Sequence, residues 1–237
     1  MTIPERPARL LLAASIVVVC GARSGAPADP AEYAVRWNPA EGGPKTSSAI
    51  LCALDDTFTG DVDEYEIRYF DVKAPADAPA HAKTILRRRV KNGTKHELTL
   101  KYRGDDQLAS PSCALPEPDE SKSEVDVTVT SADEPRRAFS FSCTVKSKTG
   151  PIAPPPALEA HPRPCGSTMR RRETKRLKAK VEEWRLPNGT TMMEVSREGH
   201  DTTEELAAFK DKIVALLLDA GIRPLDASKT ELGSDCP

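Results

Sequence analysis

The chain has 237 residues, with 34 lysines and arginines against 36 aspartates and glutamates and a formal net charge of −2. Aromatic residues make up only 5% and prolines number 21, so a modest core and long loops are expected. The histidines are scattered, there is no CxxC or HxxxH spacing, no Gly-rich phosphate loop and no nucleophile elbow. These absences argue against a zinc site, a P-loop and a serine-hydrolase site.

Met1 to Arg9 carries Arg6 and Arg9, Leu10 to Val19 carries no charge, and small residues follow. This is the layout of a secretory signal, and the apolar run is too short to span a bilayer. Cys20-Gly21-Ala22 and Ala26-Pro27-Ala28 both fit small-x-small cleavage. Residues 1–28 are therefore read as a signal peptide cut near 22 or 28. Val17-Val18-Val19-Cys20-Gly21 resembles a lipoprotein box, but Val19 stands where a small residue is usual, which makes a lipid anchor at Cys20 the minor reading. No other segment could span a membrane. The expected location is secreted, periplasmic or cell envelope, and residues 29–237 are read as one domain.

Strands are expected near Ala31–Trp37 and Tyr65–Asp71, with a short helix near Thr46–Leu54 between them. Asp55 to Asp71 holds seven acidic residues and one basic residue, whereas Lys83 to Arg103 holds eight basic residues and one acid. Within the basic block, Lys91-Asn92-Gly93-Thr94 joins two alternating segments as a type I′ hairpin, because both central residues tolerate positive φ. A polar loop is expected over 104–122, then strands near Val125–Thr130 and Ala138–Val145, then a proline-rich connector over 146–169. Arg170 to Lys180 is basic at seven of eleven positions and is read mainly as a solvated approach. Pro187-Asn188-Gly189-Thr190 repeats the hairpin pattern, and both turns are also Asn-x-Thr sequons. Asp201-Thr202-Thr203-Glu204 opens a helix whose Leu206, Phe209, Ile213, Leu216 and Leu217 share a face. Many antiparallel strands with few helices give an α+β fold built on a curved sheet or barrel. Cys52, Cys113, Cys143, Cys165 and Cys236 remain after cleavage, an odd number with open connectivity, and export favours disulfides.

Strand alternation sorts the charges. Arg87 and Arg89 point to one face and Arg88 to the other, and Glu97, Thr99, Lys101 and Arg103 share a face opposite Leu98 and Leu100. On an open sheet these charges would simply face water. Inside a closed barrel they would repel one another without an anion, and arginine pairs bidentately with phosphate. The second hairpin could add Lys178, Lys180, Glu182 and Glu194 to the same cavity. Glu124 and Asp126 share a strand face that is read by default as solvated. Trp37 and Trp184 are read as core.

Tyr69-Phe70-Asp71-Val72, Leu86-Arg87-Arg88-Arg89 and Leu98-Thr99-Leu100-Lys101 together resemble the core series of the triphosphate-tunnel (CYTH) family. Trp184, the second Asn-Gly turn, Met193-Glu194-Val195-Ser196, the long helix and Ser228-Lys229-Thr230 are similar to its closing portion. The resemblance spans about Glu32 to Thr230. It implies an antiparallel eight-stranded tunnel whose basic residues grip a triphosphate and whose acids hold Mg²⁺ or Mn²⁺. By position, Arg87, Arg89, Lys101 and Arg103 match the phosphate-gripping set, with Arg36, Lys180 and Lys229 added to it, while Glu32 and Glu194 match the metal carboxylates. The family's opening Glu-x-Glu-x-Lys is here Glu32-Tyr33-Ala34-Val35-Arg36, and Ala34 cannot bind a metal. Glu64-Tyr65-Glu66 has the right spacing but is read as a solvated strand. The expected partner is thus a phosphorylated small molecule or polyphosphate, with no specific nucleic acid. Two uses stay open, metal-dependent triphosphate hydrolysis and non-catalytic polyanion binding or a structural envelope role.

Overall fold

A computed structural model describes residues 28–109, 111–130 and 134–237. Apart from Ala28, the expected signal peptide and Cys20 lie outside the described residues. The elements in chain order are β1 Pro30–Trp37, α1 Ser47–Leu54, β2 Phe58–Asp71, β3 Lys83–Lys91, β4 Lys95–Gly104, β5 Glu120–Thr128 and β6 Arg136–Ser147. There follow the two-residue β7 His161–Pro162, β8 Ser167–Thr174, β9 Lys180–Arg185, β10 Thr191–His200, α2 Thr203–Phe209, a π-helical stretch Lys210–Val214, α3 Ala215–Asp219 and α4 Lys229–Ser234.

The strands pair in the order β3-β4-β6-β5-β1-β10-β9-β8-β2, and β2 pairs back onto β3, so the sheet closes on itself. β7 only extends the end of β2. The barrel therefore has nine strands rather than eight. It is also mixed rather than antiparallel, since β1 and β5 run parallel. The extra strand is β8, which begins in the expected connector and runs into the basic segment. Its inward positions include Ser167, Met169 and Arg171, too weak an apolar alternation to read as a strand, and pairing with β2 and β9 holds it in place. The parallel contact joins strands distant in sequence, which no local pattern encodes.

The first hairpin turn is as expected, with Asn92 and Gly93 both at positive φ. The second differs. Pro187 cannot take positive φ, so a turn bonded from Gly189 N–H to Leu186 C=O leaves Gly189, and not Asn188, in the left-handed region.

Outward residues of β1 and β10 pack under α1, α2 and the helical stretch that follows. Tyr33, Val35, Trp37, Val195, Phe209, Ile213 and Leu217 are all fully buried there. Thr46 caps α1 and Thr202 caps α2, one residue beyond the expected start. On the other side of the barrel the long loops form the cover. Leu115 and Leu158 pack on Leu86, Leu98 and Leu100, and Cys113–Cys143 ties the 105–119 loop to β6. A second disulfide, Cys165–Cys236, ties the C-terminal segment after α4 to the approach to β8, leaving Cys52 free. No helix among the described residues is long and apolar enough to cross a membrane.

Inside the barrel one end is apolar. Tyr65, Ile67, Tyr69, Ile85, Met169, Trp184, Leu186 and Met192 cluster there. α4 lies against this cluster, with Gly233 so close to Tyr69, Trp184 and Ser167 that an added Cβ would meet atoms at 3.3–3.5 Å. Its start is fixed by a capping box between Ser228 and Glu231. This end of the lumen is closed, and the rest is charged.

Candidate functional site

Every strand alternates, so one residue in two faces the lumen. The lumen is a cavity of about 250 Å³ lined by ten basic and seven acidic side chains, with only a few hydroxyls between them. Arg36, Arg87, Arg89, Lys101, Arg103, Lys180, Lys229 and Glu32 all line this cavity. The basic faces therefore converge, which is the arrangement that separates a binding tunnel from a barrel with charges splayed to solvent. Lys178 does not join them; it sits exposed in a turn at positive φ.

At the floor Glu194 is fully buried, with one carboxylate oxygen accepting from Arg36 Nε and the other from Lys229 Nζ at 2.9 Å. Arg36 also donates to Thr128 Oγ1 at 3.1 Å. Lys229 reaches Glu182 at 3.6 Å and Glu32 at 3.9 Å, so one ammonium serves three carboxylates. Trp184, expected as core, is also a donor: its indole N–H bonds Glu182 Oε2 at 2.9 Å. Burial opposes the charge on Glu32, yet Lys229, Lys180, Lys101 and Arg36 outweigh it and hold the carboxyl well below its usual range. Burial likewise opposes the charge on Lys229, and the three carboxylates overcome it and push its ammonium well above the usual lysine range. Glu194 moves the other way, because burial outweighs Arg36 and Lys229.

At mid-height, carboxylate oxygens of Glu32, Glu124 and Asp126 lie within 4.8 Å of one another. Glu124 and Asp126 are thus not on a solvated face, their side chains being only 10% and 12% exposed. Closure of the barrel turned that face inward. Lys101 bonds Asp126 at 2.9 Å, Arg103 approaches it at 3.4 Å, and Lys122 contacts Glu124 at 2.6 Å. Three hard oxygen donors of this kind suit Mg²⁺ or Mn²⁺. The grouping differs from the expected one, in which Glu32 and Glu194 share a metal: Glu194 lies below it with its oxygens on Arg36 and Lys229, and Glu124 and Asp126 stand beside Glu32 instead.

Arg87 and Arg89 complete the wall. Burial and the neighbouring Arg87 pull the Arg89 guanidinium below its usual range. Both Nε–H groups are buried without a hydrogen-bond partner, and Arg87 has no ion pair among the described residues. Arg171, read in the sequence as part of a solvated run, also enters the lumen, placed by Asp63 at 3.3 Å and by the Tyr65 ring 5.0 Å from its guanidinium carbon. The alternation of β8 is the signal in the sequence that points Arg171 inward. Glu64 and Glu66 are exposed, as expected.

The closed barrel around a charged lumen is the kind of architecture that the sequence resemblance to the CYTH family implies. Neither a protein-family model nor a curated protein matches the sequence. Among solved structures the chain is similar to HpAC1 from Hippeastrum, an adenylyl cyclase by name with a dominant triphosphatase activity. The identity is 16%, the TM-score 0.49, and the match covers 86% of this chain and 93% of that one. It is also similar to the PH1012 protein of Pyrococcus horikoshii OT3, at 15% identity and TM-score 0.46 over 86% of this chain and 99% of that one. The PH1819 protein of the same organism matches at 12% identity and TM-score 0.43 over 85% and 97%.

Proposed function

We propose that this is an exported tunnel protein that binds a triphosphate or polyphosphate, as a phosphorylated small molecule or an inorganic chain, together with a divalent metal. The observation that carries this is the Arg87–Arg89 pair, two like charges facing one lumen whose buried Nε–H groups have no acceptor among the described residues, Arg89 reaching Glu97 only through a terminal nitrogen. An orphaned buried donor is costly, and phosphate oxygens would satisfy both guanidinium groups. Two disulfides support export, because such bonds persist in oxidising compartments.

Glu32, Glu124 and Asp126 would hold Mg²⁺ or Mn²⁺, which when bound supplies charge neutralisation at phosphate oxygens and a site for the attacking water. Arg87, Arg89 and Arg171 orient the phosphoryl groups along one wall. Lys101, Lys122 and Arg103, which pair with those acids, would be available to phosphate oxygens if the acids held a metal. Thr99 and Thr144, bonded to each other at 2.9 Å, offer hydroxyls to the same oxygens. Hydrolysis by this arrangement would release orthophosphate through positioning and electrostatics alone.

A second reading, binding without hydrolysis, is favoured by β1 and β10. Ala34 takes the lumen-facing position between Glu32 and Arg36, and Glu194 is locked by two cations. Orthophosphate release from inorganic triphosphate, with Mg²⁺ or Mn²⁺ and with chelator, separates the two. Metal-dependent release lost in Arg89→Ala and Glu32→Gln establishes the hydrolase. Salt-sensitive binding without release establishes the binder, and no binding at all sinks both.

A further inference from the structure

The open rim of the lumen carries a ring of carboxylates that the binding reading does not use. Glu97 stands near the start of β4, Glu120 opens β5 and Glu198 is near the end of β10, strand ends that share the rim opposite α4. Each already holds a rim cation. Arg89 lies 2.8 Å from Glu97, Lys146 lies 2.8 Å from Glu120, and Glu198 receives Lys180 at 2.7 Å and Lys122 at 3.6 Å. Exposure rises from 17% at Glu97 to 54% and 58% at Glu120 and Glu198, which places the last two outermost.

Arg87 lies one inward step along β3 from Arg89 and has no carboxylate partner among the described residues. Arg87 thus offers an uncommitted positive charge below the rim, the rim cations are each paired, and α4 and Trp184 block the far end. An anion entering from the rim gains most from its first few charged groups. Each group beyond them would have to displace Glu97, Glu120 or Glu198 from its cation and would meet that carboxylate's repulsion.

We infer that Glu97, Glu120 and Glu198 form a length-selecting collar that makes the tunnel favour a short, terminal polyphosphate and gain nothing from a longer chain. This rests on the polyphosphate-binding reading. Like-charge repulsion at a rim discriminates between ligands more than it alters intrinsic affinity for the preferred one.

The test is calorimetric titration of the full-length protein and of the Glu97→Gln/Glu120→Gln/Glu198→Gln variant with tripolyphosphate and with a much longer inorganic polyphosphate. Titrations are compared per chain at low and high salt. In the wild type the long chain should bind no tighter than tripolyphosphate. In the variant the long-to-short affinity ratio should rise about tenfold, the sum of several modest rim effects, and the gain should fade at high salt. An unchanged ratio, or an equal gain for both ligands, would overturn the collar while leaving the binding site intact. Failure of the wild type to bind tripolyphosphate would overturn both. Should the triple variant fold poorly, Glu120→Gln and Glu198→Gln singly sit on exposed side chains and must each shift the ratio in the same direction.

Discussion

The floor and the rim of the lumen are built from the same residue types and behave differently. At the floor, Arg36, Glu182 and Glu194 are almost fully buried, Lys229 is one-fifth exposed, and each charge is held by several partners. At the rim, Lys146, Glu120, Lys180 and Glu198 pair across solvent. Burial makes the difference: a charge out of water must be matched group for group, while an exposed pair is screened and contributes little. Floor charges are therefore structural as well as functional, whereas rim charges can be tuned without endangering the fold.

The largest effect should come from Lys229→Met. It strands Glu32, Glu182 and Glu194 without their shared ammonium, and breaking a buried pair in this way costs about 3–5 kcal/mol. Urea unfolding should show it; a loss well under 1 kcal/mol would mean that water reaches the floor and the contrast fails. Next, Cys236→Ser frees the segment that follows α4, and loss of such a bond typically costs about 2–4 kcal/mol. Thermal melts with and without reductant would measure this, and the reductant should add little to the variant beyond its effect on Cys113–Cys143.

Arg87→Ala sits between the two regions. Hydrogen bonds to charged groups are worth about 1.5–3 kcal/mol, so tripolyphosphate binding should weaken roughly ten- to a hundredfold. Stability should hold or rise, since Arg89 loses a like-charged neighbour. A binding loss matched by an equal stability loss would make Arg87 a structural residue.

Acid offers a graded test. Glu32 and Glu182 titrate below their ordinary value of 4.5, so the stability they contribute is present above that pH and is lost as pH falls below it. Glu194 is shifted upward and opposes this, favouring the fold as it protonates. Lys229, shifted above 10.5, contributes stability that is full below that pH and is lost as pH climbs past it. Melting temperature against pH should thus fall on the acid side, and Lys229→Met should flatten that limb. The smallest effect belongs to Glu120→Gln, which should change stability by less than about 1 kcal/mol, as exposed pairs do. A larger loss would show that the rim is built like the floor.

Much was legible in the chain itself. Alternation put Arg87 and Arg89 together and Arg88 apart, the Asn92-Gly93 turn set the register of β3 against β4, and the apolar spacing from Leu206 to Leu217 gave the helical cover of β1 and β10. These are local facts, determined by side-chain periodicity and turn chemistry over a few residues. The tertiary structure decided the rest. It enlisted β8, whose inward positions mix Ser167, Met169 and Arg171 and so carry only a weak periodic signal, as the ninth strand, and it paired β1 parallel to β5. It chose the partners of the cysteines and left Cys52 out. It turned Glu124 and Asp126 from a presumed solvated face to the lumen beside Glu32, and it gave Glu194 to Arg36 and Lys229. All of these depend on which distant strands meet when the sheet closes, and a face becomes inside or outside only at that closure.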